Sequence, residues 1–277
     1  MLACGRIGYT NDLPIYAAFD EGAVRFSGTL HSGVPSALNA MLVEGRLALS
    51  PISAFAYAQH ASELVLLPDL CIGAKREVLS VLLVSKLSPA LLDGATIAVT
   101  AESASGVALL RVLLEQKWRV HTRFVTSDDP LKTALRTNSP ALLIGERAID
   151  ARFAVRPDYV YDLGSVWYDW TGEASVFAVW AARRDVFERD RDSVQTCMRE
   201  LRAAYAWGAG HRKQVIARAQ LMHPRPVGFY EEYYEKLNFE LDSAARRGLQ
   251  RYFEELCVIG AIKENPLRAT EDSGVFA

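Results

Sequence analysis

The sequence lacks most of the signatures that assign a chain to a chemistry at a glance. Its four cysteines, Cys4, Cys71, Cys197 and Cys257, are scattered, with no Cys-x-x-Cys pair and no histidine at zinc-ligand spacing. That argues against a disulfide framework and a structural zinc, and the thiols read as reduced and buried, Cys4 and Cys71 within apolar strand-like runs. Charge of one sign is not in surplus either: 31 Lys and Arg stand against 33 Asp and Glu, a formal net charge of -2. A nucleic-acid footprint needs clustered excess cation, so none is expected. No stretch approaches the roughly 20 uninterrupted apolar residues of a membrane span. Arg6, Asn11, Asp12 and Asp20 interrupt any apolar leader core, and a cytoplasmic protein is expected. His-x-x-x-His, acidic triplets, a phosphate-cradling glycine loop and a Gly-x-Ser-x-Gly elbow are all missing. Gly5-Arg6-Ile7-Gly8 lacks the third glycine of a dinucleotide fingerprint. Neither metal nor cofactor is expected.

What is present is the profile of a globular α/β chain. Half of the 277 residues are hydrophobic, enough for one large domain or two lobes with separate cores. Apolar runs at 2–7, 24–30 and 47–50 read as strands. Between the last two, Val34, Ala37, Leu38, Met41 and Leu42 fall at helix spacing, with Gly45 closing the helix. Strand–helix alternation predicts a mostly parallel sheet covered on both faces. A second α/β stretch follows: a strand at 96–99, a helix through Leu109, Leu110, Leu113 and Leu114, and a strand at 141–144 ending at Gly145-Glu146.

The longer β-rich runs at 78–84 and 176–180 read as crossover strands between two lobes. The first lobe is then discontinuous, residues 1–84 and 180–277 with the C-terminal helices, and the second is 85–179. Past Asp185, Val194, Met198, Leu201 and Tyr205 keep a helical stripe that Gly208 and Gly210 are expected to end. Pro224 and Pro226 punctuate the next connection. Ala245, Leu249, Tyr252, Phe253 and Leu256 mark a last amphipathic helix, and the polar tail from Asn265 is expected to fray.

Small polar residues recur where strands give way to helices: Tyr9-Thr10-Asn11-Asp12, His31-Ser32-Gly33, Ser50-Pro51-Ile52-Ser53 and Thr100 through Ser103 to Ser105. Helix N-termini carry free N–H groups and partial positive charge, so they bind carboxylates without Arg or Lys. Singly, each Ser or Thr reads as a cap on its own helix; together they suit a small molecule with more than one anionic group. His31 is the only histidine in a strand-end turn and reads either as structural or as a proton carrier. Trp167, Tyr168 and Trp170 read either as packing between lobes or as a ring lining a cleft.

In order along residues 6–184, the chain resembles the chorismate dehydratases of the futalosine route to menaquinone. The likeness rests on Arg6-Ile7-Gly8-Tyr9, Asn11-Asp12-Leu13-Pro14, Gly33-Val34-Pro35, Leu38-Asn39 and Ser50-Pro51-Ile52-Ser53. It continues through Leu67-Pro68-Asp69-Leu70-Cys71-Ile72-Gly73-Ala74, Ser80-Val81-Leu82-Leu83, Leu142-Leu143-Ile144-Gly145 and Tyr161-Asp162-Leu163-Gly164. Trp167, Thr171-Gly172 and Val176-Phe177-Ala178-Val179-Trp180 complete it. The resemblance implies an α/β, two-lobe periplasmic-binding-protein type II-like fold with two crossover strands and a ligand in the cleft between lobes. The chain departs from the family at Ala104-Ser105-Gly106, Gly145-Glu146 and Glu173-Ala174-Ser175. A sister naphthoate-forming enzyme of the same route carries a Ser-Pro-Cys-Pro run before the Asn-Asp, where this chain has Gly8-Tyr9-Thr10.

The implied reaction is that of a hydro-lyase without cofactor. Chorismate, a small dicarboxylate, loses its C3 proton and C4 hydroxyl to give 3-[(1-carboxyvinyl)oxy]benzoate and water, driven by aromatisation. Helix ends at Ser32, Ser53 and Ser103 suit the carboxylates; Tyr9, Thr10, Ser50, Ser80, Thr100, Ser105, Gly145 and Trp167 are further candidate contacts. Asn11, donor and acceptor at once, suits the ring hydroxyl or a reacting carboxylate. Three bases stay open: His31, Asp12, which reads more simply as the cap of the first helix, and the substrate's own enolpyruvyl carboxylate. The rival reading is a non-catalytic solute-binding protein of the same fold.

Overall fold

A computed structural model describes residues 1–154 and 159–268. The strands are β1 (Ala3–Ile7), β2 (Thr29–Gly33), β3 (Leu49–Ser53), β4 (Leu64–Ala74), β5 (Val81–Ser85), β6 (Thr96–Val99), β7 (Arg123–Thr126), β8 (Ala141–Ile144), β9 (Tyr159–Asp162), β10 (Ser175–Arg183) and β11 (Leu237–Glu240). The α-helices are α1 (Leu13–Asp20), α2 (Pro35–Val43), α3 (Ala54–Gln59), α4 (Ala104–Val112), α5 (Pro130–Thr137), α6 (Gly145–Ala154), α7 (Leu163–Thr171), α8 (Arg184–Arg189), α9 (Arg191–Gly210), α10 (Arg212–Met222), α11 (Phe229–Lys236) and α12 (Ser243–Val258). None of the described helices is long and apolar enough to cross a membrane.

The chain divides into two compact units, residues 1–72 with 178–241 and residues 73–177 with 242–277. In unit 1 the sheet order is β11-β4-β10-β3-β1-β2. β1 is parallel to β2 and β3, while β10 runs antiparallel to β3. With Ile7 opposite Gly33, the parallel strands end at one sheet edge, where ligands of open α/β sheets bind. Unit 2 holds the order β7-β6-β8-β5-β9. There β5 is antiparallel to β8 and β9, and β6 is parallel to β7 and β8. Its core includes Leu82, Val84, Ala98, Ala141, Leu143 and Ala148.

Several expectations are corrected. Strand β2 begins at Thr29, because the N–H groups of Ala23 and Val24 are drawn back onto the Ala18 carbonyl after α1. The run at 78–84 is not a crossover. It supplies β5, a strand paired on both sides and buried throughout, which makes it uniformly apolar. The strands that carry the chain from one unit to the other are β4 and β10. The unit boundaries therefore fall at 72 and 178, not at 84 and 180.

The last helix belongs to unit 2 instead of unit 1. Tyr252 donates its hydroxyl to the Ser105 carbonyl at 3.2 Å and sets its ring edge-on to Trp167. Gly210 ends α9, but Gly208 sits inside it. The tail does not fray at its start: Asn265 is buried and donates to the Gln250 carbonyl at 3.3 Å. Its residues 269–277 lie outside the described part. Cys4, Cys71 and Cys197 are buried and outside any disulfide, while Cys257 is half-buried.

Candidate functional site

The unit 1 edge is built on the turn between β1 and α1. Tyr9 precedes a 3-10 turn of Thr10–Asp12, closed by the Asp12 N–H on the Tyr9 carbonyl at 3.3 Å. Thr10 is buried, and its carbonyl accepts the Tyr234 hydroxyl of α11 at 2.9 Å. The first two turns are tied by the Gly8 N–H on the Gly33 carbonyl at 3.2 Å. Ser53 caps α3, its Oγ accepting from the Ala56 N–H at 3.2 Å, while its own N–H donates to Asn39 Oδ1 at 3.1 Å. Asn39 was not singled out as a site residue, yet it fixes this turn to α2.

Asn11 and Asp12 stand apart from these satisfied groups. Asn11 Oδ1 and Asp12 Oδ2 are both buried without a hydrogen-bond partner. Such orphans are rare in folded proteins and cost free energy unless something else satisfies them. Asp12 was expected to cap the first helix. It occupies the cap position of α1, but its side chain makes no capping bond. Its carboxyl is instead packed away, 1% exposed.

Burial lifts the Asp12 carboxyl well above its ordinary value, partly opposed by the positive charge of Arg6 and reinforced by Asp20. Arg6 cannot neutralise it by direct pairing, because its guanidinium is forked onto both Asp20 oxygens at 2.6 and 2.8 Å. Asp20 is held a second time by Arg218 at 3.0 Å. A pH signature follows. Above the ordinary value of 3.8 the unfolded chain releases this proton while the folded one keeps it. Wild-type stability should therefore fall as pH rises through the window up to the raised folded value, then level off. Asp12→Asn has no such proton, so its urea midpoint should gain on wild type across that window. A pH-independent difference between the two would mean that Asp12 titrates normally.

The other unit 1 candidates are placed differently from expectation. His31 and Ser32 lie within the exposed edge strand β2, opposite Gly5 and Arg6, and not in a strand-end turn. The helix that follows is capped at Val34, so Ser32 is not a helix end. Ser50 is fully buried inside β3, donating to the Pro51 carbonyl at 2.8 Å and filling the space that a Cβ on Gly5 would need. It serves packing.

In unit 2, the start of β5 and the ends of β6, β8 and β9 share one edge, with Val81 opposite Ile144 and Leu82 opposite Asp162. Ser80 is buried and donates to the Val78 carbonyl at 3.2 Å; its own carbonyl accepts the Gly145 N–H at 2.8 Å. Thr100 accepts the Glu102 N–H at 3.2 Å. Ser103 holds the cap position of α4 without a side-chain capping bond, and Ser105 lies buried in the first turn. Trp167 is 1% exposed, its indole donating to the Ala174 carbonyl at 3.1 Å and its ring edge-on to Trp170 and Tyr252. That ring packs within unit 2.

The organising group of this edge is Asp162, quoted in the motif but not proposed for the site. One oxygen accepts from Val78 and Ser165, both at 3.1 Å, and the other from Leu79 at 2.7 Å. Burial outweighs these donors and raises its carboxyl above the usual value. Asp-x-x-Ser at a strand-to-helix junction signals the cap on α7, but the two donors from residues 78 and 79 come from across the fold. Among the described residues no three His, Cys, Asp or Glu groups could hold a metal.

Two α/β units on two sheets, each with polar turns along one strand-end edge, define a fold of the periplasmic-binding-protein type. The fold is similar to that of protein AF1704 from Archaeoglobus fulgidus, with a TM-score of 0.74, 19% identity, and 94% of this chain and 98% of that one covered. It is also similar to the periplasmic aliphatic sulphonate binding protein SsuA from Escherichia coli, with a TM-score of 0.63, 16% identity, and 95% and 89% covered. The sequence narrows this class to one family: residues 2–257 match the menaquinone biosynthesis family, and the chain belongs to it. Over 268 residues it is 32% identical to the chorismate dehydratase of Thermus thermophilus, covering 90% of this chain and 95% of that one.

Proposed function

We propose that this protein is a chorismate dehydratase, a hydro-lyase that converts chorismate to 3-[(1-carboxyvinyl)oxy]benzoate and water in the cytoplasm. The observation that carries the reading is the near-full-length likeness to a chorismate dehydratase, joined to a unit 1 turn that presents Asn11. Asn11 Oδ1 is a buried acceptor suited to a hydroxyl donor, and its amide suits a carboxylate. On this reading the Ser53 turn contributes to carboxylate binding through helix-end N–H groups.

The candidate bases separate on chemistry. Burial favours the protonated form of the Asp12 carboxyl, which suits it to giving a proton up more than to taking the first one. His31 sits exposed in an edge strand, without the enclosure that lends a proton carrier its leverage. The substrate's own enolpyruvyl carboxylate, attached at the carbon that loses the proton, is the base we favour. Aromatisation and the conjugated ring carboxylate supply the rest, and the protein's part is to orient the substrate.

Purified protein incubated with chorismate should produce the new aromatic carboxylic acid; stoichiometric binding without product would favour a solute-binding protein. Asn11→Ala should lower kcat/KM about 10–100-fold, the loss of one hydrogen bond to a charged or reacting group. His31→Ala should stay within about twofold of wild type, the scale of a surface substitution. Near-normal turnover in the first variant sinks the Asn11 role, and collapse of the second returns the base to His31.

A further inference from the structure

The most unusual group in unit 1 is the Asp12 carboxyl, and the dehydration just proposed has a step that needs one. Hydroxide is a poor leaving group, so loss of the C4 hydroxyl calls for an acid as well as a base. We propose that Asp12 is that acid: its buried, unpartnered Oδ2 hydrogen-bonds the C4 oxygen of the substrate and protonates it as the carbon–oxygen bond breaks. The inference rests on the dehydratase reading.

Three observations support it. Asp12 follows Asn11 directly on the same 3-10 turn, and each carries a buried side-chain oxygen without a hydrogen-bond partner. The side chain serves no capping role that would explain an Asp at this position. The charges around it also leave it poised to keep a proton. Arg6 on β1 is committed to Asp20 on α1, Asp20 is shared with Arg218 on α10, and the Tyr16 hydroxyl on α1 donates to the Gly5 carbonyl. From α11, the Tyr234 hydroxyl is spent on the Thr10 carbonyl. Burial then favours the neutral acid, with Arg6 near enough to temper the carboxylate that forms on proton transfer.

The step balances without any redox partner. The base takes the C3 proton, and the electron pair of that bond becomes the π bond between C3 and C4 that completes the aromatic ring. The C4–O pair leaves with oxygen, which takes the Asp12 proton to become water. Asp12 is left as carboxylate and the base as its conjugate acid. Transfer of that proton back to Asp12 through solvent resets the enzyme.

The test compares wild type and Asp12→Asn on chorismate and on its 4-deoxy-4-fluoro analogue, whose fluoride leaves without needing a full proton. With chorismate, Asp12→Asn should lose about 100-fold in kcat with little change in KM. With the fluoro analogue the two proteins should turn over within a few-fold of each other. Equal loss on both substrates, or undiminished turnover of chorismate, overturns the proposal. The pH profile gives the same answer without the analogue: wild-type kcat should fall on the alkaline side as Asp12 loses its proton, and the residual Asp12→Asn rate should not.

A spectroscopic readout keeps this separate from the dehydratase reading itself. In the infrared difference between wild type and Asp12→Asn at neutral pH, the carbonyl stretch of a protonated carboxylic acid should belong to wild type alone. Its absence overturns the acid role. If the band is present but wild type makes no product from chorismate, the dehydratase reading has failed, and the acid role falls with it for this reaction.

Discussion

Asp162→Ala should cost this protein about 3–5 kcal/mol of stability, because one small carboxylate satisfies three backbone N–H groups that would be left without it. Each buried donor stranded in this way costs about 1–3 kcal/mol, and partial access of water to the first turn of α7 keeps the sum below the maximum. Two of those donors belong to Val78 and Leu79, both buried, in the bend that starts β5. Leu79 has φ of +61°, a left-handed conformation that costs a non-glycine residue roughly 1–2 kcal/mol. The 2.7 Å bond from its N–H to Asp162 and the burial of its side chain offset that strain.

The effect should reach the unit 2 edge, because the next residue, Ser80, holds the Gly145 N–H through its carbonyl. Asp162→Asn retains an oxygen for Val78 and Ser165 but turns an amide donor toward Leu79. It should cost about half as much as the alanine change. Urea unfolding of both variants reads the difference. A loss under about 1 kcal/mol for Asp162→Ala would show that the bend holds itself.

Much of the framework was legible in the sequence because it depends on local periodicity. The i, i+3, i+4 stripe of α2, the apolar β6 and β8, and the amphipathic α12 each follow from one segment's own pattern. What a segment packs against is not local, and the misreadings gather there. The apolar run at 78–84 and the strand β4 both look like long buried strands. Pro68 and Asp69, the latter at φ of +81°, interrupt β4 in the sequence without ending it in the fold. The rhythm of α12 identified a helix but not its host, which depends on Tyr252 meeting Ser105 and Trp167.

The polar turns show the same division. Asp129, Asp162, Asp190 and Asp242 all cap helices as an Asp before a helix should, accepting from the N–H three residues on. Asp12 has the same local look, with Pro14 just inside α1, yet makes no such bond. Its surroundings are set by Arg6, Asp20 and Tyr16, which β1 and α1 bring together, and by Arg218 of α10, which holds Asp20. Ser50 likewise reads as a polar strand end, and Trp167 either as packing between lobes or as a ring lining a cleft. Each is consumed by packing that only the folded chain reveals.

Gly208→Ala provides the sharpest test of how that packing holds the site turn. In a helix interior alanine is better than glycine by about 1 kcal/mol, so local propensity alone predicts a gain. At this position a Cβ would stand 2.1 Å from the Pro14 carbonyl oxygen, backbone against backbone, where α9 crosses α1. Neither partner is the flexible end of a side chain, so relief requires one helix to move. The overpacking cost should exceed the propensity gain and leave the variant about 2–3 kcal/mol less stable than wild type.

Because Pro14 lies two residues beyond Asp12, the displacement should be transmitted to the Asn11–Asp12 turn, lowering kcat more than it raises KM. Urea unfolding and steady-state turnover of chorismate read the two consequences separately. Lost stability with normal kcat would mean the turn is held by Tyr234 on Thr10 and by the Gly8–Gly33 tie, independently of the helix behind it. Unchanged or raised stability would mean that α9 can yield at Gly208, and that the close crossing is a consequence of the fold instead of one of its supports.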